Sequence, residues 1–232
     1  MIKNFNNLKE SGIRYGGHAG NKLGVVIDGE NWFLKFPKST KDLLRKVDIS
    51  YNTSPLSEYI GSHIYKSLGI PVHETMLGIK DEKLVVACKD FRKNQIDYRL
   101  DDYNSIKNDY VEGLEKKLES TSSSNPHAIN IDETIIIMNN NPLFNRVAGL
   151  KDRFWDMFIV DALIGNNDRN NGNWGVIVDN RTNETKIAPV FDNGASFNTK
   201  SSDENIEKIL SDKERFKNSA YLSRICAFSI ND

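Results

Sequence analysis

The sequence predicts an α+β protein of two lobes, and three observations lead there. The first ninety residues read as strands interrupted by one helix, and the remainder is mainly helical. Two short acidic loops then break the helical part: Asp168-Arg169-Asn170-Asn171-Gly172-Asn173 and Phe191-Asp192-Asn193-Gly194. With 232 residues the chain can form one large domain or two small lobes around a cleft. Residues 1–91 are expected to form a β-rich lobe and residues 92–232 a helical one.

The elements follow in order. Residues 23–27 are a short apolar run that Asp28-Gly29 turns back into residues 32–36, a hairpin signal. Ser54 is placed to cap a helix, Pro55 suits its first position, and Ser57 and Glu58 fall in its first turn. Ile60, Ile64, Tyr65 and Leu68 give that helix an apolar stripe; Gly69 and Pro71 end it. Residues 72–79 and 84–88 read as strands, residues 106–118 as a charged surface helix, and residues 121–126 as a loop. Residues 152–164 are apolar nearly all round, which predicts a buried helix. Residues 174–178 and 187–191 form a second hairpin around residues 180–184, and residues 203–217 a final polar helix.

Composition narrows the function. Hydrophobic content of 38% and charged content of 27% fit a soluble globular protein, and the net charge of −1 gives no general attraction to nucleic acid or anionic membrane. The apolar run at 154–164 is too short to span a bilayer and is broken by Asp156 and Asp161. The N-terminus lacks a signal-peptide apolar region. Two cysteines, Cys88 and Cys226, and four scattered histidines, His18, His63, His73 and His127, make neither a disulfide framework nor a zinc motif. A reduced, cytoplasmic protein is expected, with no membrane partner and no direct nucleic-acid partner; secretion or delivery to a host cell stays open.

An Asp followed five positions later by an Asn is the spacing of a phosphoryl-transfer loop. Such transfer needs negative oxygens neutralised and a hydroxyl positioned. Asp192 and Asn173 offer the carboxylate and amide oxygens that magnesium prefers, and Asp168 offers a base or orienter for the incoming hydroxyl. The strand pair at 174–178 and 187–191 would bring Asn173 and Asp192 side by side. Asn170 and Asn171, in the same loop, are expected at the nucleotide. A turn without chemistry is the plain alternative for each loop. Calcium loops are excluded by register: a start at Asn166 puts Asn171 where glycine is required, and a start at Asn167 puts Arg169 and Val178 on ligand positions.

Upstream, Gly16, Gly17, His18, Ala19, Gly20, Asn21 and Lys22 form a flexible turn whose backbone can approach phosphates closely. It is neither a Walker A loop nor a dinucleotide fingerprint, and a plain hairpin loop is the alternative. Lys35 shares a strand face with Phe33 and Pro37; in kinase-like folds such a lysine holds the α- and β-phosphates and a helix glutamate, here Glu58, fixes it. Lys89, Asp90 and Phe91 follow a buried strand, where a hinge would meet adenine. A β-rich part, a connector and a helical part with two acidic loops outline a bilobal protein-kinase-like fold.

These segments together resemble the HipA-like serine/threonine kinases of bacterial toxin–antitoxin systems, most of all the short CtkA-type members without the usual N-terminal extension. The resemblance rests on Tyr15-Gly16-Gly17 with Asn21-Lys22, on Phe33-Leu34-Lys35-Phe36, on Ser57-Glu58-Tyr59-Ile60-Gly61-Ser62 and on Gly69-Ile70-Pro71. It continues in Gly165-Asn166-Asn167-Asp168 through Trp174 and in Pro189-Val190-Phe191-Asp192-Asn193-Gly194. It implies a fold related to the phosphoinositide kinases, with ATP and Mg2+ as cofactors. Asp168 then matches the catalytic aspartate, Asn173 and Asp192 the metal ligands, Gly17 to Lys22 the phosphate loop, Lys35 the nucleotide lysine, and Lys89 to Phe91 the hinge. It further implies a protein substrate, in some members an aminoacyl-tRNA synthetase or other translation factor, along with autophosphorylation and a neutralising antitoxin.

The chain also departs from that pattern. Asn166 and Asn167 stand where many members carry a His-bearing loop, and no hydroxyl residue lies between Gly16 and Lys22, so autophosphorylation within that loop is not expected. The helical lobe reads as truncated, which suggests a fragment or a split protein completed by a missing C-terminal helical segment. Two other functions stay open at this point: a lipid or small-molecule kinase, and a non-catalytic nucleotide-binding half of a split toxin.

Overall fold

In the computed structural model, residues 2–16, 22–41, 49–109, 129–222 and 227–229 are described, together with Leu114 and Leu118. The chain divides into two compact units: Met1–Asp90 with Asn193–Ile225, and Phe91–Asp192 with Cys226–Asp232.

The first unit is built on a six-stranded sheet. Its strands are β1 (Lys3–Asn4), β2 (Lys9–Glu10), β3 (Lys22–Ile27), β4 (Glu30–Lys35), β5 (Thr75–Lys80) and β6 (Lys83–Lys89), in the order β1-β5-β6-β4-β3-β2. The expected hairpin is present, with Lys22 opposite Lys35 and Ile27 opposite Glu30. Asp28 and Gly29 both take positive φ, at 52° and 80°, as a two-residue hairpin turn demands. Side chains alternate across the sheet. Trp32 and Leu34 therefore bury with Phe5, Val25, Val85 and Ala87, while Phe33 and Lys35 take the other face.

Helix α1 (Ser54–Ser67) has Pro55 in its first turn, as expected, but its N-cap is Thr53 rather than Ser54. It ends in a glycine stop. Gly69 sits at φ 75°, its N–H donates to Lys66 O, and the Ile70 N–H donates to Tyr65 O. The buried face matches the expected apolar stripe only at Tyr65: Ile60 and Leu68 are exposed, and Pro55, Ser57, Glu58, Gly61 and Ser62 are buried instead. Polar partners, described below, turn that side of the helix inward. The final polar helix is two helices, α6 (Asp203–Ser211) and α7 (Lys213–Lys217). They are broken where Asp212 accepts hydrogen bonds from the Glu214 and Arg215 N–H groups.

The second unit holds a three-stranded antiparallel sheet, with β9 (Gly175–Asp179) between β10 (Thr185–Ile187) and β7 (Tyr98–Asp102). It also holds a two-stranded parallel pair, β8 (Ile129–Asn130) with β11 (Phe228–Ser229). Its helices are α2 (Tyr103–Lys107), α3 (Ile131–Asn140), α4 (Pro142–Arg146) and α5 (Leu150–Ile164). Of the helix expected at 106–118, α2 starts three residues earlier and ends at Lys107, and Leu114 and Leu118 are helical again; residues 110–113, 115–117 and the loop at 121–126 lie outside the described residues. An aromatic cluster forms the core, with Tyr103 stacked on Trp174 at 4.4 Å and Phe154 tilted against Trp174 at 5.4 Å. Helix α5 buries Phe154, Met157, Val160 and Ile164 at spacings of three and four, and leaves Trp155, Ile159 and Leu163 exposed. The expectation of burial all round is therefore corrected: one stripe of this helix meets the core. The second hairpin strand is also earlier and shorter than expected, because pairing stops near Ala188, whose N–H donates to Gly175 O.

Candidate active site

In the first unit the sheet and α1 assemble a charged hub. Lys35 Nζ lies 2.6 Å from Glu58 Oε2, and His73 Nε2 lies 2.9 Å from Glu58 Oε1. The Asn193 N–H also donates to Oε1 at 3.0 Å. One turn along the helix, Ser62 Oγ accepts from Asn193 Nδ2 at 3.1 Å, and Ser196 Oγ donates to Asn193 O. Glu58, Asn193 and Ser196 are wholly out of water, and His73 nearly so. Burial raises the Glu58 pKa, but the Lys35 charge and the hydrogen bonds from His73 and Lys35 outweigh it and hold the carboxyl well below the usual carboxylate range. Glu58 is thus an acceptor only, and Nε2 of His73 carries the proton between them. A Cβ on Gly194 would lie 3.1 Å from Glu58 Oε2, so a glycine lets this turn approach the carboxylate.

Other expected nucleotide residues of this unit are placed as follows. Lys22 Nζ donates to Gly16 O at 2.7 Å, closing the base of the glycine turn. Gly17, His18, Ala19, Gly20 and Asn21 lie outside the described residues. Lys89 is paired with Glu30 at 2.8 Å and Glu74 at 3.3 Å, and its pKa is raised chiefly by the Glu30 hydrogen bond. The Lys89 and Asp90 N–H groups donate to Glu74 O and Asn31 O, and Asp90 Oδ2 accepts from the Tyr15 hydroxyl.

In the second unit a buried arginine holds both acidic loops. Arg169 has no exposed surface. Its Nε and Nη2 bind Asp161 Oδ2 and Oδ1 at 2.7 Å and 3.1 Å, and Asn166 Nδ2 adds a third donor to that carboxylate at 3.0 Å. Its Nη1 donates to Asn173 O at 2.9 Å and to Phe191 O at 2.5 Å. One guanidinium therefore fixes the end of the Asp168 loop and the residue before Asp192. Strand pairing was expected to bring Asn173 and Asp192 together; the arginine performs the join that the shortened strand does not. Asn173 Nδ2 donates to Asp168 O at 2.9 Å, which leaves Oδ1 as the side-chain acceptor. Asp192 sits at φ 63°, a left-handed conformation that a non-glycine residue adopts at some cost.

The remaining loop residues shape it. Asn170 Oδ1 accepts from the Gly172 N–H, and Asn171 O accepts from the Asn104 N–H. Asn171 Oδ1 is buried without a hydrogen-bond partner. Asp168 is exposed, and its N–H is held by Asn166 Oδ1. Phe91 packs on Phe191 with ring centres 5.5 Å apart. The donor set of Asp192 carboxylate and Asn173 amide oxygen fits a hard cation such as Mg2+.

Sequence reasoning missed four supporting residues: Asp161, His73, Asn193 and Ser62. Asp161 had a signal, being a lone carboxylate on the inner stripe of an apolar helix eight residues before an arginine. Ser62 and Asn193 stood within the motifs that carry the resemblance but without a role, and His73 had no signal, since their contacts span long sequence separations.

No protein-family model matches the chain. The serine/threonine-protein kinase CtkA of Helicobacter pylori strain J99 is 40% identical over 197 residues, which are 85% of this chain and 56% of that protein. The chain thus spans little more than half the length of the curated relative it matches. The crystal structure of a Helicobacter pylori proinflammatory kinase CtkA matches with a TM-score of 0.83 and 31% identity, covering 99% of this chain and 73% of that one. The fold is accordingly the α+β kinase-like fold.

Proposed function

Since the chain belongs to the HipA-like serine/threonine kinases of the CtkA type, we propose that it is an ATP- and Mg2+-dependent protein kinase that transfers the γ-phosphate to Ser or Thr hydroxyls. One observation supports this most: Arg169 Nη1 on the carbonyls of both Asn173 and Phe191, which sets the two acidic loops against one guanidinium. In this reading Asp168, exposed at the loop, accepts the substrate hydroxyl proton. Asn173 Oδ1 and Asp192 hold the ion, whose charge offsets that of the transferred group. Lys35, fixed by Glu58, holds the nucleotide phosphates, assisted by the turn from Gly16 to Lys22. Lys89, Asp90 and Phe91 take the base, and Asn170 and Asn171 serve the nucleotide from the Asp168 loop.

The substrate is a protein, the chain itself included, and the setting is the cytoplasm, where ATP is plentiful. Among the described residues no helix is long and apolar enough to cross a membrane. A growth-arresting role with a neutralising antitoxin belongs to the same proposal. The test is intact-mass spectrometry of the purified chain, alone and with a lysate, before and after ATP and Mg2+. A gain of phosphate on Ser or Thr is expected. Label appearing in extractable lipid while protein stays unmodified would overturn the choice of substrate, and no transfer to either would overturn the activity.

A further inference from the structure

Glu58 faces more than Lys35 and His73. Alternation and register place Cys88 on the same sheet face as Lys35, with Cys88 opposite Phe33 and Val86 opposite Lys35. A carboxylate oxygen of Glu58, a ring nitrogen of His73 and Sγ of Cys88 all lie within 4.8 Å of one another, and all three residues are buried. Each comes from a different element: helix α1, the segment leading into β5, and strand β6. Two polar atoms there lack hydrogen-bond partners. They are His73 Nδ1, and Oγ1 of Thr75, the residue in register opposite Cys88. A cavity of about 530 Å³ is lined by His73, Ser62 and Thr75 among others, and so reaches one of the three residues.

From this we propose that Glu58, His73 and Cys88 form a binding site for a thiophilic divalent cation of the Zn2+ class, separate in chemistry from the oxygen donors Asn173 and Asp192. A thiol, an imidazole and a carboxylate are a zinc donor set, with a fourth position left for water. Zinc bond lengths require the three atoms to close in by roughly 1 Å. The thiol binds as thiolate, and its proton leaves to solvent. The sequence alone gave no zinc motif, because the ligands are spread over three elements with no characteristic spacing.

Occupancy has a consequence for Lys35. The Glu58 carboxylate cannot serve the ion fully while also holding Lys35, His73 and the Asn193 N–H. The ion therefore loosens the grip on Lys35 and inhibits phosphoryl transfer. This last step rests on the kinase reading; the binding itself does not.

The probe is Co2+ added to the intact chain, read by thiolate-to-cobalt charge-transfer absorption, with Zn2+ affinity measured by competition against a chromogenic chelator. One ion per chain is expected, with the absorption retained in Cys226→Ser and lost in Cys88→Ser. Cys88→Ser should also weaken Zn2+ by about tenfold or more and should make kinase activity insensitive to Zn2+, without changing it in Mg2+-containing buffer freed of trace Zn2+. Absence of the band in the unmodified chain, its loss in Cys226→Ser or its persistence in Cys88→Ser would overturn the site. Binding that behaves as expected in a chain that transfers no phosphate would leave the site standing and remove the kinase reading instead.

Discussion

Glu58 in the first unit and Arg169 in the second are both fully buried charges, yet they gather opposite partners. Glu58 collects donors: an ammonium, an imidazole N–H and a backbone N–H. Arg169 collects acceptors: one carboxylate and two carbonyls. The anionic hub holds a cation, Lys35, in place, and the cationic hub fixes the backbone at Asn173 and just before Asp192. A guanidinium keeps its charge at any pH the fold survives, so the second hub is permanent. The first contains an imidazole and borders a thiol, so its strength can be altered by what binds there.

The largest effects should separate chemistry from scaffolding in the second unit. Asp192→Asn is expected to abolish metal-dependent transfer, and Asp168→Asn to slow it by roughly 10²–10⁴-fold. Asp168→Asn should not move the urea midpoint by more than about 0.5 kcal/mol equivalent, since its side chain is exposed. Unchanged activity would remove those roles. Next comes the hub itself. Arg169→Met leaves Asp161 buried and unpaired, and is expected to destabilise the chain by about 3–5 kcal/mol in urea unfolding. The double variant Arg169→Met with Asp161→Leu should regain most of that stability but not the activity, because two loop carbonyls still lack their donor. Recovery of activity would show that the arginine is only structural.

Much of this architecture could be read in the sequence, and the failures have physical causes. Asp28-Gly29, Pro55 and Gly69 were legible because turn and cap chemistry is local. The buried face of α1 was not, because Glu58 and Ser62 turn inward for partners at positions 73 and 193. Helix α3 was missed although Asn130 caps it by accepting from the Glu133 N–H; its run Ile135-Ile136-Ile137 is β-branched and favours strand. Helix α5 was placed well, but an apolar run cannot say which stripe meets the core. The loops carrying Asp168 and Asp192 were legible as motifs, whereas the arginine that joins them was visible only as part of the first.

Smaller effects sharpen the first hub. Glu58→Gln removes the charge that aims Lys35. Hydrogen bonds to charged groups are worth about 1.5–3 kcal/mol, so transfer should slow by roughly ten- to a hundredfold in kinase assays. A drop as large as that of Asp192→Asn would mean that Glu58 acts on the reaction directly. The smallest change lies away from both hubs. Asp81 and Glu82 take φ of 49° and 62° in the β5–β6 turn, where glycine is at ease. Glu82→Gly should raise stability by about 1 kcal/mol and leave activity alone, as measured by thermal unfolding and steady-state rates.

The most direct test of the account is a crystal soaked with a non-hydrolysable ATP analogue and Mn2+, read by the anomalous signal of manganese. The account predicts an ion coordinated by Asn173 Oδ1 and the Asp192 carboxylate, with Arg169 still bound to the Asn173 and Phe191 carbonyls. Manganese on the triphosphate with those two oxygens turned away from it would contradict the account.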